Sequence, residues 1–542
     1  MRVQTLLLMC IFFCSSYVNA ESVKGNQEIK SDPSRTVIYF QPNTTQLFTE
    51  LYQAYGFLNP PSRTVFEDAL YLDQSIPPSV TPLQPSNQAI FDHTSQVLSD
   101  FHKRVNDLEL YIDPNKPTPF FYTAAGSKHL IVALVYSIAM SEPNKKFLFV
   151  EQAPLYSGHP NAVSGIFHYP NARFFSFHDP SEIQLEPDEV LVEFVTSPNN
   201  PDGKFRKPLT NAQIIIADFV FASSAFGIDG TGYLDKNIEW VRQARAQGKH
   251  LFSFNSASKQ FGKTGARCGY IWFPLYDTYA ASIFNKFFTF ISSSTVGGGT
   301  TGLEEFLNLI EVFLTLPDTG KALRNDANKS LLRRHELVET ELFRHYPGST
   351  VLSIPGSPTF FAKIKDSRIP HQQAWEVIFE DLGIVVNKGE PMGESNEFIR
   401  INLSGYSEGL VECLNRLVGH KKYKKEDVLF VSTQTCPHTM VVAMEAPNTA
   451  YIANPNNCLV DADTSKGPME LLCPPFIGYD ASSVITIRKI DSSEHPLVVK
   501  AKEFTATVNK AGETLHVQWT QPFYLNGHWQ IINKTDSPRD NP

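Results

Sequence analysis

The chain has 542 residues, of which 42% are apolar, and a formal net charge of −9 at neutral pH. A chain of this length is expected to form about two to four domains with a large buried core. Its one short basic run, at 421–425, is interpreted as a solvated hinge. Composition therefore speaks against a protein that binds nucleic acid.

The N-terminus has the pattern of a secretory signal peptide over residues 1–20. Arg2 supplies a positive charge, a short apolar core runs from Leu6 to Phe13, and Val18-Asn19-Ala20 resembles a cleavage site. The apolar run is shorter than the ~20 residues that span a bilayer. We therefore expect a secreted protein with no membrane attachment after processing; the alternative is a short membrane anchor.

Five cysteines follow this segment, and three of them, Cys436, Cys458 and Cys473, lie in the C-terminal region. In an oxidising compartment we expect a disulfide there. The odd number leaves at least one free thiol, which we assign to a buried Cys268. No Cys/His pattern has the spacing of a zinc site, so no metal is expected.

Taken in chain order, the predicted elements begin with an irregular arm at 21–90, which is polar and rich in proline. The next part, 91–320, is predicted to be a large domain in which helices alternate with short apolar strands. Such continuous apolar runs between helices indicate a mostly parallel sheet that is buried on both faces, and hence an α/β fold. The predicted helices are 91–105, 127–141, 234–247, 276–290 and 302–315, and the strands are 146–151, 173–178, 190–196, 213–219, 249–255 and 268–273.

Beyond this domain, residues 321–425 are predicted to form a small α+β domain, and residues 426–542 a separate β-rich domain without a visible repeat. The small domain opens with a long helix at 321–345. Its other predicted elements are strands 358–364 and 398–403 and helices 371–381 and 407–419. Strand patterns in the last domain lie at 428–431, 440–444, 484–487 and 515–519.

The segment 253–270, SFNSASKQFGKTGARCGY, has the strongest chemical pattern. Lys259 follows a predicted buried strand in a turn rich in serine and glycine. A lysine that forms a Schiff base needs a rigid position, such as the carboxyl edge of a sheet. Its surroundings must also exclude enough water for its amine to lose a proton. Ser256 and Arg267 suit a phosphate group. The alternative is a surface lysine in a loop.

This segment resembles the fold-type I pyridoxal-phosphate (PLP) enzymes, and within them the alliinase and tryptophan aminotransferase-related family. That family carries a lysine after a strand, then a glycine-containing stretch, then Arg-x-Gly and an aromatic residue. The resemblance covers about 91–420 and implies an aspartate aminotransferase-like large domain with pyridoxal 5'-phosphate as cofactor. The matching residues are Lys259, Gly262, Gly265, Arg267, Gly269 and Tyr270.

Five further positions match the family in the expected order. Gly126 and Ser127 open a helix whose N–H groups would hold the cofactor phosphate. Tyr156 would stack on the pyridine ring. Asn200, in the motif Asn-Pro-Asp-Gly, would hydrogen-bond the ring oxygen. Each residue also has an ordinary interpretation, as a helix start, a core tyrosine or a turn.

The remaining two positions carry charge. Asp218 ends a predicted strand and would pair with the protonated ring nitrogen, which keeps the ring an electron sink. Arg400 would bind the substrate α-carboxylate with its two-pronged guanidinium. A capping aspartate and a surface arginine are the alternatives, but the ordered co-occurrence of the whole set favours a site.

Two departures from the family bear on function. Phe221 occupies a position where the family usually has tyrosine, and 21–90 lacks the cysteine-rich module of plant alliinases. We expect a homodimeric aminotransferase that converts an L-amino acid to its 2-keto acid through a Schiff base at Lys259. The alternatives are an alliinase-like carbon–sulfur lyase acting on cysteine S-conjugates or sulfoxides, and a catalytically weakened binding protein on the same fold.

Overall fold

A computed structural model describes most of the chain from residue 38 to residue 535. The predicted signal segment and the three C-terminal cysteines lie outside the described residues. Those residues are 38–39, 46–54, 87–116, 121–165, 169–295, 303, 306–307, 309–310, 313–314, 317–369, 371–431, 439–443, 448–451, 459–465, 467–472, 484–489, 491–500, 505–519 and 529–535.

The α-helices are numbered in chain order. They are α1 Gln46–Ala54, α2 Asn87–Arg104, α3 Ser127–Ser141, α4 Gly158–Pro160, α5 Leu234–Ala246, α6 Ala257–Gln260, α7 Thr278–Thr295, α8 Pro317–His345, α9 Ala374–Leu382, α10 Ser407–Val418 and α11 Lys425–Val428. The described residues between 303 and 314, where a helix is predicted, are helical. Within the described residues, no helix is long and apolar enough to cross a membrane.

Within the described residues, the strands form five sheets. They are β1 Ile38–Tyr39, β2 Phe121–Ala124, β3 Lys146–Gln152, β4 Ala172–Phe177, β5 Glu189–Thr196, β6 Ile214–Asp218, β7 His250–Ser256, β8 Gly269–Trp272, β9 Thr350–Val351, β10 Thr359–Lys363, β11 Ile384–Val385, β12 Asn387–Lys388, β13 Phe398–Asn402, β14 Thr439–Ala443, β15 Asn448–Tyr451, β16 Leu459–Asp463, β17 Met469–Leu472, β18 Val484–Lys489, β19 Leu497–Lys500, β20 Thr505–Val508, β21 Thr514–Trp519 and β22 Trp529–Thr535.

The largest sheet has seven strands in the order β2-β8-β7-β6-β5-β3-β4. The pairs from β7 to β4 are parallel, whereas β8 runs antiparallel to both of its neighbours. This arrangement confirms the predicted mostly parallel sheet. Strand order reverses at β3, since β4 lies on one side of it and β5 on the other. A crevice at the carboxyl ends of the strands is expected at such a point.

Burial explains why the strands of this sheet are continuous apolar runs. All five residues of β6 are buried. Ile215 and Ala217 face one core cluster, and Ile214 and Ile216 face the other. A strand covered on both faces cannot alternate between apolar and polar residues, because successive side chains point to opposite faces.

The predicted small domain contains an antiparallel sheet in the order β12-β13-β10-β9. Strand β1 pairs in parallel with β11. The N-terminal segment that contains β1 therefore contacts the small domain. The prediction that 21–90 is irregular is wrong for residues 46–54, which form helix α1. The apolar residues Leu47, Phe48, Leu51 and Tyr52 recur at helical spacing and are buried.

The C-terminal region is rich in strands, as predicted, and its strands β14 to β19 alternate between two sheets. Strands β14, β16 and β18 pair in parallel in one sheet, and β15, β17 and β19 do so in the other. We call this alternation of β14 to β19 between two parallel sheets the C-terminal coil, and antiparallel pairs that include β20, β21 and β22 follow. This repeat is invisible in the sequence.

One strand prediction at the start of this region is wrong. Residues 425–428 form helix α11 instead of opening a strand at Val428. Val428 is fully buried, and its carbonyl accepts a hydrogen bond from Arg334 Nε at 2.8 Å. The apolar run at 428–431 therefore includes a core contact and not the start of a β-strand.

Candidate active site

The candidate site lies at the carboxyl edge of the large sheet. Tyr156 follows β3, Asn200 follows β5, Asp218 ends β6, and Lys259 follows β7. These strands are neighbours in the sheet, so the residues that follow them meet at one edge. Arg400 comes from β13 of the small sheet, and its Nη1 donates to Asn200 Oδ1 at 2.9 Å.

Lys259 lies on the short helix α6, which begins immediately after β7. The hydroxyl of Ser256 caps this helix by accepting from the Ser258 N–H at 3.2 Å, and it donates to the Cys268 carbonyl at 3.2 Å. Burial, followed by the positive charges of Arg400 and Arg267, lowers the pKa of Lys259 to about 7, although Asp218 opposes the shift. A substantial fraction of the amine is therefore neutral and nucleophilic near pH 7.

A cradle for an anion lies at the N-terminus of α3. Gly126 precedes the helix with φ of 91°, a conformation that favours glycine. Arg267 lies against this turn, because its Nη2 donates to the Ala125 carbonyl at 3.1 Å. A Cβ atom on Gly126 would lie 3.0 Å from Arg267 Nη2, and one on Gly269 would lie 2.5 Å from the Ser127 nitrogen. The helix dipole, its free N–H groups and the guanidinium suit a phosphate.

Asp218 has a buried partner that sequence reasoning missed. Its Oδ1 accepts from the Val220 N–H at 3.0 Å, and its Oδ2 lies 3.6 Å from His159 Nε2. On the other side of the imidazole, His159 Nδ1 is 2.7 Å from Glu151 Oε2. Thr196 Oγ1 donates to Glu151 Oε1 at 2.8 Å. A fully buried histidine thus lies between two buried carboxylates.

The charge of this histidine follows from its neighbours. Burial alone would lower the pKa of His159, but Glu151 and Asp218 raise it to about 9. An imidazolium between two carboxylates compensates charges that would otherwise be costly to bury. Glu151 could have pointed to this histidine in the sequence, because a carboxylate near the end of an apolar, buried strand needs a partner.

The two aromatic residues considered in the sequence have different surroundings. Tyr156 is partly buried, and its ring meets His159 edge to face at 5.2 Å between centroids. A Cβ atom on Gly158 would lie 2.3 Å from the Tyr156 ring, so glycine permits this ring position. Phe221 packs edge to face on Phe226 at 5.4 Å, in the apolar core.

The donors present at this edge fit PLP. Arg400 Nε and His159 Nε2 are buried without a hydrogen-bond partner among the described residues. The amine of Lys259 suits an aldehyde, the cradle at Gly126 suits a phosphate, and Asp218 suits a ring nitrogen. All nine residues predicted for the site are described. A hydrogen bond and charge interactions join five of them, Asn200, Asp218, Lys259, Arg267 and Arg400. Gly126 and Ser127 form the turn beside Arg267, Tyr156 contacts His159, and the hydroxyl of Ser256 is engaged as a helix cap.

A lysine perched at the carboxyl edge of a mostly parallel seven-stranded sheet, facing an aspartate and two arginines, defines a fold-type I PLP-dependent enzyme. The comparison with protein families agrees with this class. The family model described as Allinase matches residues 117–418, which is more than half of the chain. The chain therefore belongs to the allinase family.

Individual relatives are distant. Tryptophan aminotransferase-related protein 3 of Arabidopsis thaliana is 22% identical over 331 residues, which cover 58% of this chain and 66% of that protein. The match thus spans slightly less than two thirds of this relative's length.

Among solved structures, Pyrococcus protein-A1 has a TM-score of 0.49 at 16% identity and covers 71% of this chain and 92% of its own. Aspartate aminotransferase of Thermus thermophilus has a TM-score of 0.46 at 16% identity, covering 71% and 91%. The aromatic aminotransferase of Pyrococcus horikoshii has a TM-score of 0.46 at 15% identity, covering 70% and 94%. The family assignment rests on the match over 117–418.

Proposed function

We propose that the protein is a PLP-dependent aminotransferase that converts an L-amino acid into its 2-keto acid. One observation carries the proposal: the amine of Lys259, with a pKa lowered to about 7, shares an edge of the sheet with a carboxylate and two guanidinium groups. The same geometry supports PLP as the cofactor.

Different residues would hold different parts of the cofactor. Gly126, Ser127 and Arg267 would bind its phosphate at the N-terminus of α3. Asp218, which lies beside His159, would hold a proton on the ring nitrogen. When bound, PLP supplies an aldehyde that reacts with amines and a ring that accepts the electron pair of a broken Cα–H bond. Tyr156 would cover a face of the ring, and the amide of Asn200 would donate to the ring oxygen.

Two residues act on the substrate. Arg400 binds the α-carboxylate, and because Asn200 holds its Nη1, the guanidinium is oriented before the substrate arrives. Lys259 would hold the cofactor aldehyde until the substrate amine displaces it, and the lysine amine released in this way would take the Cα proton as a general base. A base must be neutral to accept a proton, and burial favours the neutral form.

A second candidate is a carbon–sulfur lyase acting on cysteine S-conjugates or sulfoxides. The match to the Allinase model favours it. Both reactions begin with loss of the Cα proton, so the residues above serve either. The two reactions differ in the next step. In the lyase a sulfur leaving group departs from Cβ, whereas in the aminotransferase the proton is returned to the cofactor and not to Cα.

The first experiment tests for the cofactor. Purified full-length protein should be yellow, and borohydride should attach the cofactor irreversibly to Lys259, as located by mass spectrometry of the peptide. Lys259→Ala is the matched control and should carry no label. A colourless protein that PLP cannot reconstitute would overturn the enzyme proposals and favour a binding protein on the same fold.

A second experiment separates the two reactions. The holoenzyme is given aromatic or aliphatic amino acids with a keto-acid acceptor, and separately S-alkyl cysteine sulfoxides without one. Turnover that requires the acceptor supports the aminotransferase. Release of pyruvate and ammonia without an acceptor would replace it with the lyase.

Secretion and assembly are part of the proposal. The pattern at 1–20 supports a cleaved signal peptide and a secreted protein, and membership of the fold class supports a homodimer. Sequencing the N-terminus of protein recovered from the medium tests the first, with residue 21 expected. Light scattering tests the second, and a stable, active monomer would contradict it.

A further inference from the structure

Helix α1 is far from the candidate site in sequence but is buried against it in the fold. Leu47, Phe48 and Leu51 are fully buried, and Glu50 and Tyr52 are 4% and 2% exposed. Both polar side chains are therefore committed to contacts inside the protein. Tyr52 contacts the turn after Lys259, and Glu50 contacts the segment after Arg400.

On the side of Lys259, α1 touches the turn at 261–263. Tyr52 donates its hydroxyl to the Phe261 carbonyl at 2.6 Å, in a buried contact. Gly262 has φ of 65°, and a Cβ atom there would lie 2.3 Å from Phe48 Cβ. The helix approaches the turn so closely that only glycine fits at this point.

On the side of Arg400, α1 touches the segment that follows β13. The Leu47 N–H donates to the Ser404 carbonyl at 3.0 Å. Glu50 accepts from the Ser407 N–H at 3.2 Å and lies 3.5 Å from Arg334 Nη2 and 3.3 Å from Lys425 Nζ. A buried carboxylate with these partners joins α1 firmly to the small-sheet unit.

We propose that α1 is a clamp that sets the position of the Lys259 turn relative to β13, with Tyr52 and Glu50 as positioning residues. The inference rests on the proposed function, in which Lys259 and Arg400 act on the same substrate. Reacting groups tolerate little misplacement, since a shift of about 1 Å can cost about a hundredfold in rate. Tyr52 acts through the lysine turn, and Glu50 acts through the arginine strand.

The two ends of the clamp predict different kinetic effects. Tyr52→Phe leaves the buried Phe261 carbonyl without its donor and loosens the turn. We expect PLP release to accelerate and kcat to fall, each by about tenfold, with KM nearly unchanged. Glu50→Gln removes the charge that holds the segment after Arg400. We expect KM for the amino acid to rise by about tenfold while PLP release is unchanged.

Matched controls separate positioning from stability. Tyr346→Phe makes the same chemical change at a buried tyrosine that donates to Asp381 at 2.9 Å. Glu341→Gln neutralises a buried carboxylate whose partners Lys422 and Tyr423 lie outside α1. Each control should lower the unfolding temperature comparably to its partner variant but leave PLP release and KM at the wild-type values. Equal PLP release in Tyr52→Phe and Tyr346→Phe would overturn the clamp.

Hydrogen exchange provides a readout that needs no cofactor. In Tyr52→Phe, peptides covering 257–268 should exchange about tenfold faster than in Tyr346→Phe, whereas peptides covering the C-terminal coil should match. Identical exchange at 257–268 would refute the clamp even if the protein binds PLP. Faster exchange in a protein that binds no PLP would support the clamp and reject the proposed function.

Discussion

Replacing Gly262 with alanine tests the close contact between α1 and the lysine turn. The position has φ of 65°, where an L-residue costs roughly 1–2 kcal/mol. The added methyl group would lie 2.3 Å from Phe48 Cβ, far inside a normal contact. Overpacking of this kind costs about 1–3 kcal/mol, so we expect local opening of the turn to become easier by about 2–5 kcal/mol.

The two contributions can be separated by variants of the same chain. Gly248 has φ of 70° with no atom within 4 Å of an added Cβ, so Gly248→Ala carries the backbone cost alone. Phe48→Gly removes the Cβ atom and the ring that would clash, so adding Gly262→Ala to it should cost only about as much as Gly248→Ala. Hydrogen exchange measures these local opening free energies. If the free-energy costs of the two substitutions, at 262 and at 48, simply add in the double variant, the contact between these residues is refuted.

Three further predictions concern the site itself. The amine of Lys259 in cofactor-free protein should react with an acylating reagent with a midpoint near pH 7, since its pKa is lowered to about 7 and only the neutral form reacts; a midpoint near 10 would contradict the burial. Gly126→Ala should weaken PLP binding by about tenfold in a fluorescence titration, because glycine is needed at φ of 91° beside a guanidinium, whereas Gly419→Ala, at φ of 79° with nothing within 4 Å, should not. His159→Gln leaves two buried carboxylates without their cation and should lower stability by about 3–5 kcal/mol. Because the folded pKa of this histidine is raised to about 9 from 6.5, the stabilisation is complete below pH 6.5 and is lost as pH rises through 9. Unfolding temperatures should therefore fall over that interval in the wild type and less in the variant.

Much of the large domain could be predicted from local pattern, because its topology turns local order into spatial proximity. Tyr156, Asn200, Asp218 and Lys259 each lie at or just after the end of a different apolar strand, and parallel neighbours bring those strand ends to one edge. Helix α3 was predicted with the bounds that it has, 127–141. Its start is marked by glycine, and ten of its residues are buried, so packing reinforces propensity there.

Elements that depend on distant contacts were less predictable. Helix α1 has a clear apolar spacing, but it is short and lies among proline-rich residues. Its stability comes from groups more than two hundred positions away, such as Phe261 and Ser407. The coil of β14 to β19 was equally hidden. Its strands repeat the same parallel pairing without a shared sequence, and each pairs with a strand that is not its neighbour along the chain.

The pair of Glu151 and His159 shows how buried charge could extend the prediction of the site. Asp218 was recognised because a carboxylate at the end of an apolar strand requires a partner. The same reasoning applies to Glu151, which is buried at the carboxyl end of β3, beside the strand that leads to Asn200. Two carboxylates of this kind near one sheet edge require a cation between them, and His159 is a group after β3 that can carry a positive charge and lies within reach of both. In this way the charge balance of the edge, and not the resemblance to a family, locates the residue that supports Asp218.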